Sequence, residues 1–416
     1  MGSKVLDRNI EWIVAFSVGL LGAFDLFQQV AGILWFQSPL FFNSIRFFSF
    51  SLLLLYQKKN YGLHILYKPF FLFFFFFSLY IYCDLTLFKQ THSDEFTVNT
   101  FVIKTLLIGV LIFCSETIIY HFNCVKFLLL TIFFSLLPSY LYIQFFGAEV
   151  LQFKLMRDDN PDNIGVLMLG YETAKIFVIS ILGMGKYFKA QWMILLFLIL
   201  IALFSGYLVI LSGERGPVLW GIVNLMICVF YNTKRKILLL CSFIVALFLI
   251  YINIDLIIEQ LFEISPQAAQ KVYATIYEGD TSNRYISGAS SVYGDSFKQI
   301  ISAPLFGSYF RLLKEFSSLY DGGWPHNVFL EMLMTMGLLG FLPFCLFLIN
   351  VFVRLKDICL RINTIYILPL LGLFLSEFLF LMTSGSIVLN SEFWLFFYIL
   401  CVITFRKDKV FSYKRS

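Results

Sequence analysis

An imidazole, a tryptophan and a pair of glycines stand together in Asp321-Gly-Gly-Trp-Pro-His-Asn-Val-Phe-Leu-Glu331, and an apolar run follows directly. Gly322-Gly323 reads as a turn. Trp324 carries the amphipathic ring found at membrane–water interfaces, and Pro325 stiffens the chain ahead of His326. A helix start carries partial positive charge, which disfavours an imidazolium and leaves a neutral His able to accept a proton. A second constellation is Leu211-Ser-Gly-Glu-Arg-Gly-Pro217. Gly213 and Gly216 permit close backbone approach, Pro217 suits the first turn of a helix, and Arg215 presents a planar fork matched to phosphate. A third is Ser282-Asn-Arg-Tyr-Ile-Ser-Gly288, with Arg284, followed by the turn Ser302-Ala-Pro-Leu-Phe-Gly307. Taken singly, each has a plain alternative: a capping His, an Arg paired to a carboxylate or a lipid headgroup, a structural turn.

The elements that must position these residues are membrane helices. The chain is 59% hydrophobic and 14% charged, against about 45–50% and about 25% in soluble domains. Roughly twelve segments approach the ~20 residues needed to cross a bilayer. They lie near 11–33, 37–56, 69–88, 101–120, 124–146, 165–184, 191–212, 217–232, 236–253, 327–353, 363–383 and 391–405. The fold class expected is an all-α polytopic membrane protein. Both termini are expected inside, because Lys58, Lys59, Lys68, Lys234, Arg235, Lys236 and the basic C-terminal tail then share the inner side. The run 70–77, FFLFFFFF, is expected to be lipid-facing bulk.

This topology puts one long loop, roughly 254–326, on the outer side. Ile257, Ile258, Leu261, Phe262, Val272, Ile276 and Tyr277 recur within it at near-helical spacing, as amphipathic helices at the membrane surface would. The chain thus divides into 1–253, with nine spans, the loop 254–326, and 327–416, with three spans and a cytoplasmic tail. All eight cysteines fall in spans or on the inner side, so no disulfide framework is offered and no spacing suggests zinc.

In this order and topology, SGERGPVL, then SNRYISGASSVYGDSFKQIISAPLFG, then PHNVFLEMLMTMGLLGFL resemble the O-antigen polymerase/ligase family of lipid-linked glycan transferases. That family resembles this chain in a Ser-x-x-Arg-Gly turn, an Arg-bearing periplasmic loop, a Pro-Leu-x-Gly turn, and His-Asn ahead of an apolar helix containing Gly-Leu-Leu-Gly. The similarity spans roughly residues 205–345. Some polymerases repeat a fixed Arg-to-Gly spacing in two outer loops; here Arg284 to Gly294 is one residue short of it.

The resemblance implies glycosyl transfer on the periplasmic face of a bacterial inner membrane, from an undecaprenyl-pyrophosphate-linked oligosaccharide, without metal, cofactor or nucleic acid. It implies catalytic roles for His326, Arg215 and Arg284, the Arg residues holding the pyrophosphate and His326 acting as base. Candidate substrate contacts are Arg311, Arg157, Asn327, Trp324 and Glu214. A chain-length regulator protein is an expected partner, beside membrane lipids. A paired-carboxylate mechanism would draw on Glu214, Asp321 and Glu331, though no spacing singles out a pair. Polymerase is the preferred reading. Ligase, lipid-linked-oligosaccharide flippase and non-catalytic assembly partner remain as alternatives.

Overall fold

A computed structural model describes residues 2–21, 24, 30, 39–63, 68–87, 95–147, 151–152, 164–187, 191–232, 236–264, 266–277, 292–308, 325–361, 367–383, 386–388 and 390–405. Apart from one two-residue parallel pairing, Leu151–Gln152 with Ile164–Gly165, the regular structure there is helical. Four described helices are long and apolar enough to cross a membrane: Cys124–Phe146, Leu167–Met184, Trp192–Leu211 and Val328–Leu355. Cys241–Ile252 with Ile254–Glu263 makes a fifth if that bent pair is one span. Lys68–Cys83, Gly216–Phe230, Leu368–Leu381 and Ser391–Thr404 are shorter apolar helices. The chain is an all-α protein with several helices able to span a bilayer.

The backbone forms two compact units. The first comprises residues 1–52, 120–281 and 359–376. Its helices include α1 (Gly2–Gly19), the start of α2 (Pro39–Asn60), α6 (Cys124–Phe146, with a π-turn at Ile132–Leu136), α7 (Val166–Tyr187), α8 (Trp192–Leu211) and α9 (Arg215–Asn232). α10 (Lys236–Ile252), α11 (Ile254–Ile264) and α12 (Pro266–Tyr277) follow. α7 is the hub, packed against α6, α8 and α9. Its buried Lys175 is held by Glu172 at 2.9 Å, so an intramembrane cation has its counter-charge one turn away. α9 is tied to the 359–376 segment by Asn224, whose amide donates to Gly372 O and Ser376 Oγ, both at 2.8 Å. α11 turns away from α10 by 71°. α11 and α12 pack together, burying Ile258 and Ala269 and leaving Leu256, Phe262, Tyr273 and Tyr277 exposed. Ile258 of the expected apolar stripe is thus inward, while Phe262 and Tyr277 of that stripe lie on the surface.

The second unit comprises residues 53–119, 282–358 and 377–416. It contains the end of α2, α3 (Lys68–Leu87), α4 (Glu95–Phe113), α5 (Ser115–His121), α13 (Val292–Ser302), most of α14 (Val328–Arg361), the end of α15 (Ile367–Leu381) and α16 (Ser391–Phe405). Trp394 of α16 anchors its core. Phe77, Phe74 and Phe393 have ring centroids 4.9, 5.3 and 5.3 Å from the Trp394 ring. The phenylalanine run therefore corrects the lipid-bulk expectation. Phe70, Phe74 and Phe77, spaced i, i+4, i+7, are buried on the Trp394 side, while Phe75 and Phe76 remain outward. One helical stripe of the run is core, Phe71 and Phe73 are half-buried beside it, and Leu72, Phe75 and Phe76 are surface.

α14 is not the straight helix its hydropathy suggests. Gly337 interrupts it with φ 57° and ψ −161°. The N–H groups freed by the break donate across the chain, Leu338 to Pro304 O at 2.9 Å and Leu339 to Leu305 O at 3.2 Å. Ser308 N–H answers on the other side, donating to Met334 O at 2.8 Å. The Pro304–Gly307 turn thus replaces the missing helical partners of α14. A buried backbone break is tolerable only with such substitutes.

Candidate functional site

Two parts of the expected site fall in described residues, one in each unit. In the first unit, Ser212-Gly213-Glu214 joins α8 to α9. Ser212 N–H continues the helix to Leu208 O at 3.0 Å, Gly213 turns left-handed at φ 66°, and Glu214 N–H donates to Ser212 Oγ at 3.4 Å. α9 begins at Arg215, so the turn and helix start read from Gly213 to Pro217 are both present. Neighbouring α7 explains why the turn sits so close. A Cβ at Gly170 would stand 2.7 Å from Pro217 Cγ and 2.8 Å from Ser212 Oγ, and one at Gly216 would stand 2.6 Å from the Tyr171 hydroxyl. The backbone of Arg215 is thereby fixed at a helix N-terminus, where the dipole favours an anionic group nearby. The Arg215 side chain lies outside the described residues, as do Arg157, Arg284, Arg311 and Trp324 entirely.

In the second unit, Pro325 is buried, and His326 and Asn327 are half-buried ahead of α14. His326 has φ 48°, and it is the one non-glycine residue with positive φ among those described. That conformation costs an L-residue free energy and persists only where its surroundings enforce it. The enforcement is visible. Asn327 is the N-cap of α14: its Oδ1 accepts from Phe329 N–H at 3.0 Å and Leu330 N–H at 3.2 Å, and its carbonyl accepts from Glu331 N–H at 2.8 Å. Asn327, expected as a substrate contact, has its side-chain oxygen committed to this cap. His326 is the residue that swings the chain into it.

One turn further along, Glu331 is fully buried. Both its oxygens accept from Ile387 N–H at 3.0 Å, and Ser386 Oγ donates to Oε1 at 2.5 Å. Trp394 Nε1 donates to Ile387 O at 2.7 Å, and Asn390 Nδ2 donates to Glu377 Oε2 at 2.8 Å. The connector between α15 and α16 is therefore latched to the helix that follows His326. Sequence reasoning offered Glu331 only as one of three carboxylates from which a catalytic pair could be drawn. Its principal partner is a backbone N–H, which leaves no side-chain signature.

No family model matches this chain, and no curated protein does. What this geometry offers chemically is a half-buried imidazole in an enforced conformation, on a helix clamped at its cap, at Glu331 and at the Gly337 break. Such clamping suits a group that must hold one direction toward a reacting atom.

Proposed function

We propose that the protein is an O-antigen polymerase. It joins undecaprenyl-pyrophosphate-linked oligosaccharide units on the periplasmic face of a bacterial inner membrane. The observation that carries this reading is His326: the imidazole singled out by the His-Asn motif has the left-handed backbone, directly before the N-cap of a clamped helix. In the proposed reaction the bond between the donor's anomeric carbon and its pyrophosphate oxygen breaks. A bond forms from an acceptor hydroxyl oxygen to that carbon, and the hydroxyl proton passes to His326 Nδ1 or Nε2. Arg215 and Arg284 stabilise the charge gathering on the departing pyrophosphate, where fixed cations act most strongly as that charge develops. General-base assistance contributes about 10²–10⁴-fold.

The flippase alternative calls for free intramembrane charge around a sugar path. Two of the cations it would draw on are already engaged. Lys175 is paired with Glu172, and Arg46 donates to Leu20 O at 2.8 Å and to Asn43 Oδ1 at 3.2 Å.

Deletion of the gene, followed by gel analysis of surface polysaccharide, tests the reading. Single repeat units on lipid A–core are the expected result. Long chains left on the carrier lipid would instead indicate a ligase, and absence of any translocated unit a flippase. With purified protein, chain growth is expected to survive a chelator and to be abolished by His326→Ala and by Arg215→Ala. Full activity of purified His326→Ala would remove the general-base role.

A further inference from the structure

α13 turns its polar groups inward and its apolar groups outward. Asp295, Ser296 and Gln299 are buried. Phe297 and Ile301 are 54% and 76% exposed, and in the turn that follows Leu305 and Phe306 are 55% and 67% exposed. A helix bathed in water does the reverse. Polar side chains toward protein and apolar ones outward is the arrangement of a helix whose solvent is hydrocarbon. The Ser302 hydroxyl, on the outward side, follows the same rule: its Oγ donates to Gln299 O at 2.7 Å, within its own helix.

The backbone fixes how deep this segment reaches. α14 carries the apolar span Val328–Leu355, and Arg354 marks the charged end of that run. Counted back from Arg354, the ~20 residues that cross ~30 Å of hydrocarbon reach to about Met334. Leu338 and Leu339 then lie about 6–8 Å inside the boundary at ~1.5 Å per residue. If the core begins at Val328 instead, they lie about 15–17 Å inside it. Pro304 and Leu305 share that depth, because their carbonyls accept from Leu338 and Leu339 N–H at 2.9 and 3.2 Å. The chain on either side is nearer the surface. Ser308 N–H donates to Met334 O at 2.8 Å, and Gln299 Nε2 donates to Ser308 Oγ at 2.9 Å. Gln299 and Ser308 are therefore level with Met334, more than a helical turn above Leu305. Lys298, its Nζ paired with Asp295 Oδ1 at 2.9 Å, stands at that upper level, within reach of lipid headgroups.

We propose that residues 292–308 form a re-entrant limb. α13 enters the leaflet in which α14 begins, the chain reverses at Pro304–Gly307 inside the hydrocarbon, and it returns at Ser308. Phe297, Ile301, Leu305 and Phe306 lie against lipid acyl chains. Two observations select lipid as the occupant. The outward patch is continuous with the exposed face of a spanning helix: Leu305 adjoins Leu339, and Leu339, Leu342, Leu346, Ile349 and Val353 carry that face onward along α14. The irregular backbone at the tip also finds its partners in protein. Ala303 O accepts from Gly307 N–H at 2.9 Å, beside the Pro304 and Leu305 bonds, so the carbonyls of 303–305 need no water. The limb replaces part of the outer loop expected from hydropathy, and it is independent of the reaction assigned to the protein.

The test uses full-length protein in nanodiscs of phosphatidylethanolamine and phosphatidylglycerol. Phe306→p-acetylphenylalanine carries a ketone-reactive nitroxide, so the native cysteines stay in place. Electron paramagnetic resonance reads collisions with oxygen, which concentrates in hydrocarbon, and with a water-soluble nickel chelate. Leu346→p-acetylphenylalanine, on the exposed face of α14, is the lipid reference, and Lys59→p-acetylphenylalanine, at the exposed end of α2, is the water reference. The Phe306 label is expected to match the Leu346 label, with an oxygen-to-nickel collision ratio severalfold above that of Lys59. A ratio equal to that of Lys59 overturns the limb, because the turn then lies in water. Few collisions with either reagent overturn lipid as the occupant and indicate a protein surface such as a second copy. Ile301→p-acetylphenylalanine, read the same way, decides the question should the Phe306 variant melt below wild type. Chain growth is measured in no arm, so the limb and the polymerase reading stand or fall separately.

Discussion

Gly307 and Gly337 stand back to back: a Cβ built on either would lie 2.6 Å from the backbone nitrogen of the other. The contact explains why glycine occupies both the Pro-Leu-Phe-Gly turn and the Gly-Leu-Leu-Gly stretch. Each has positive φ, 72° and 57°, and each abuts backbone that has no flexible end to yield. Alanine at either position combines left-handed strain of about 1–3 kcal/mol with overpacking of about 1–3 kcal/mol. Gly307→Ala and Gly337→Ala are expected to insert poorly or to melt far below wild type in detergent. Gly109→Ala in α4, where a Cβ meets nothing within 4 Å, is the matched control and is expected to melt at or slightly above wild type. Equal melting of all three would show that the turn does not close on the break.

The Glu331 latch has a graded signature. Glu331→Ala leaves Ile387 N–H and Ser386 Oγ buried without their acceptor, a loss of about 1–3 kcal/mol for each orphaned group. Glu331→Gln keeps one acceptor oxygen and is expected to cost about 1 kcal/mol. Melting of the two variants in detergent, read with Ser386→Ala as the partner deletion, forms a double-mutant cycle. Strict additivity would mean that Glu331 and Ser386 do not interact.

These two predictions mark what the sequence displayed and what it hid. The amphipathic period of 254–277 and the helix start at Arg215 were readable because each is local: spacing in one case, a Gly-Glu-Arg-Gly-Pro turn in the other. The break at Gly337 was not. It sits in an unbroken apolar run, and the groups that make it tolerable are carbonyls some thirty residues earlier, at Pro304 and Leu305. Hydropathy cannot register a hydrogen bond between distant backbones. The same blindness hid the partner of Glu331, a backbone N–H. In the phenylalanine run, by contrast, Phe70, Phe74 and Phe77 have the i, i+4, i+7 spacing of a core stripe in the sequence itself.

His326 carries a testable conflict between stability and its proposed role. At φ 48° glycine is easier than histidine by roughly 1 kcal/mol. His326→Gly is expected to melt no lower than wild type while chain growth is abolished. His326→Ala, which keeps the strain, is expected to be as inactive and somewhat less stable than His326→Gly. A destabilised His326→Gly would indicate that the imidazole is held for packing rather than for proton transfer.

Asn327 separates a cap from a substrate contact. N-cap removal costs about 0.5–2 kcal/mol, so Asn327→Ala is expected to lower the melting point by a few degrees. Asn327→Asp and Asn327→Ser keep an acceptor for Phe329 and Leu330 N–H and are expected to restore stability and chain growth together. Restored stability with chain growth still lost would instead assign Asn327 to the substrate.

Tyr277 gives a pH-dependent signal from the α11–α12 pair. Its hydroxyl donates to Asp255. That bond, with burial and the charges of Asp255, Tyr273 and Tyr251, raises the phenol above its ordinary value. The bond needs the protonated phenol. Its contribution is therefore complete below the unfolded value of about 10 and is lost as pH rises through the raised folded value. Tyrosinate absorbance of the purified protein, compared with Tyr277→Phe, is expected to assign Tyr277 a late titration. Asp255→Asn removes the anionic acceptor and is expected to bring that titration earlier. An unmoved titration in Asp255→Asn would separate the two residues, and with them the closure of α12 onto the start of α11.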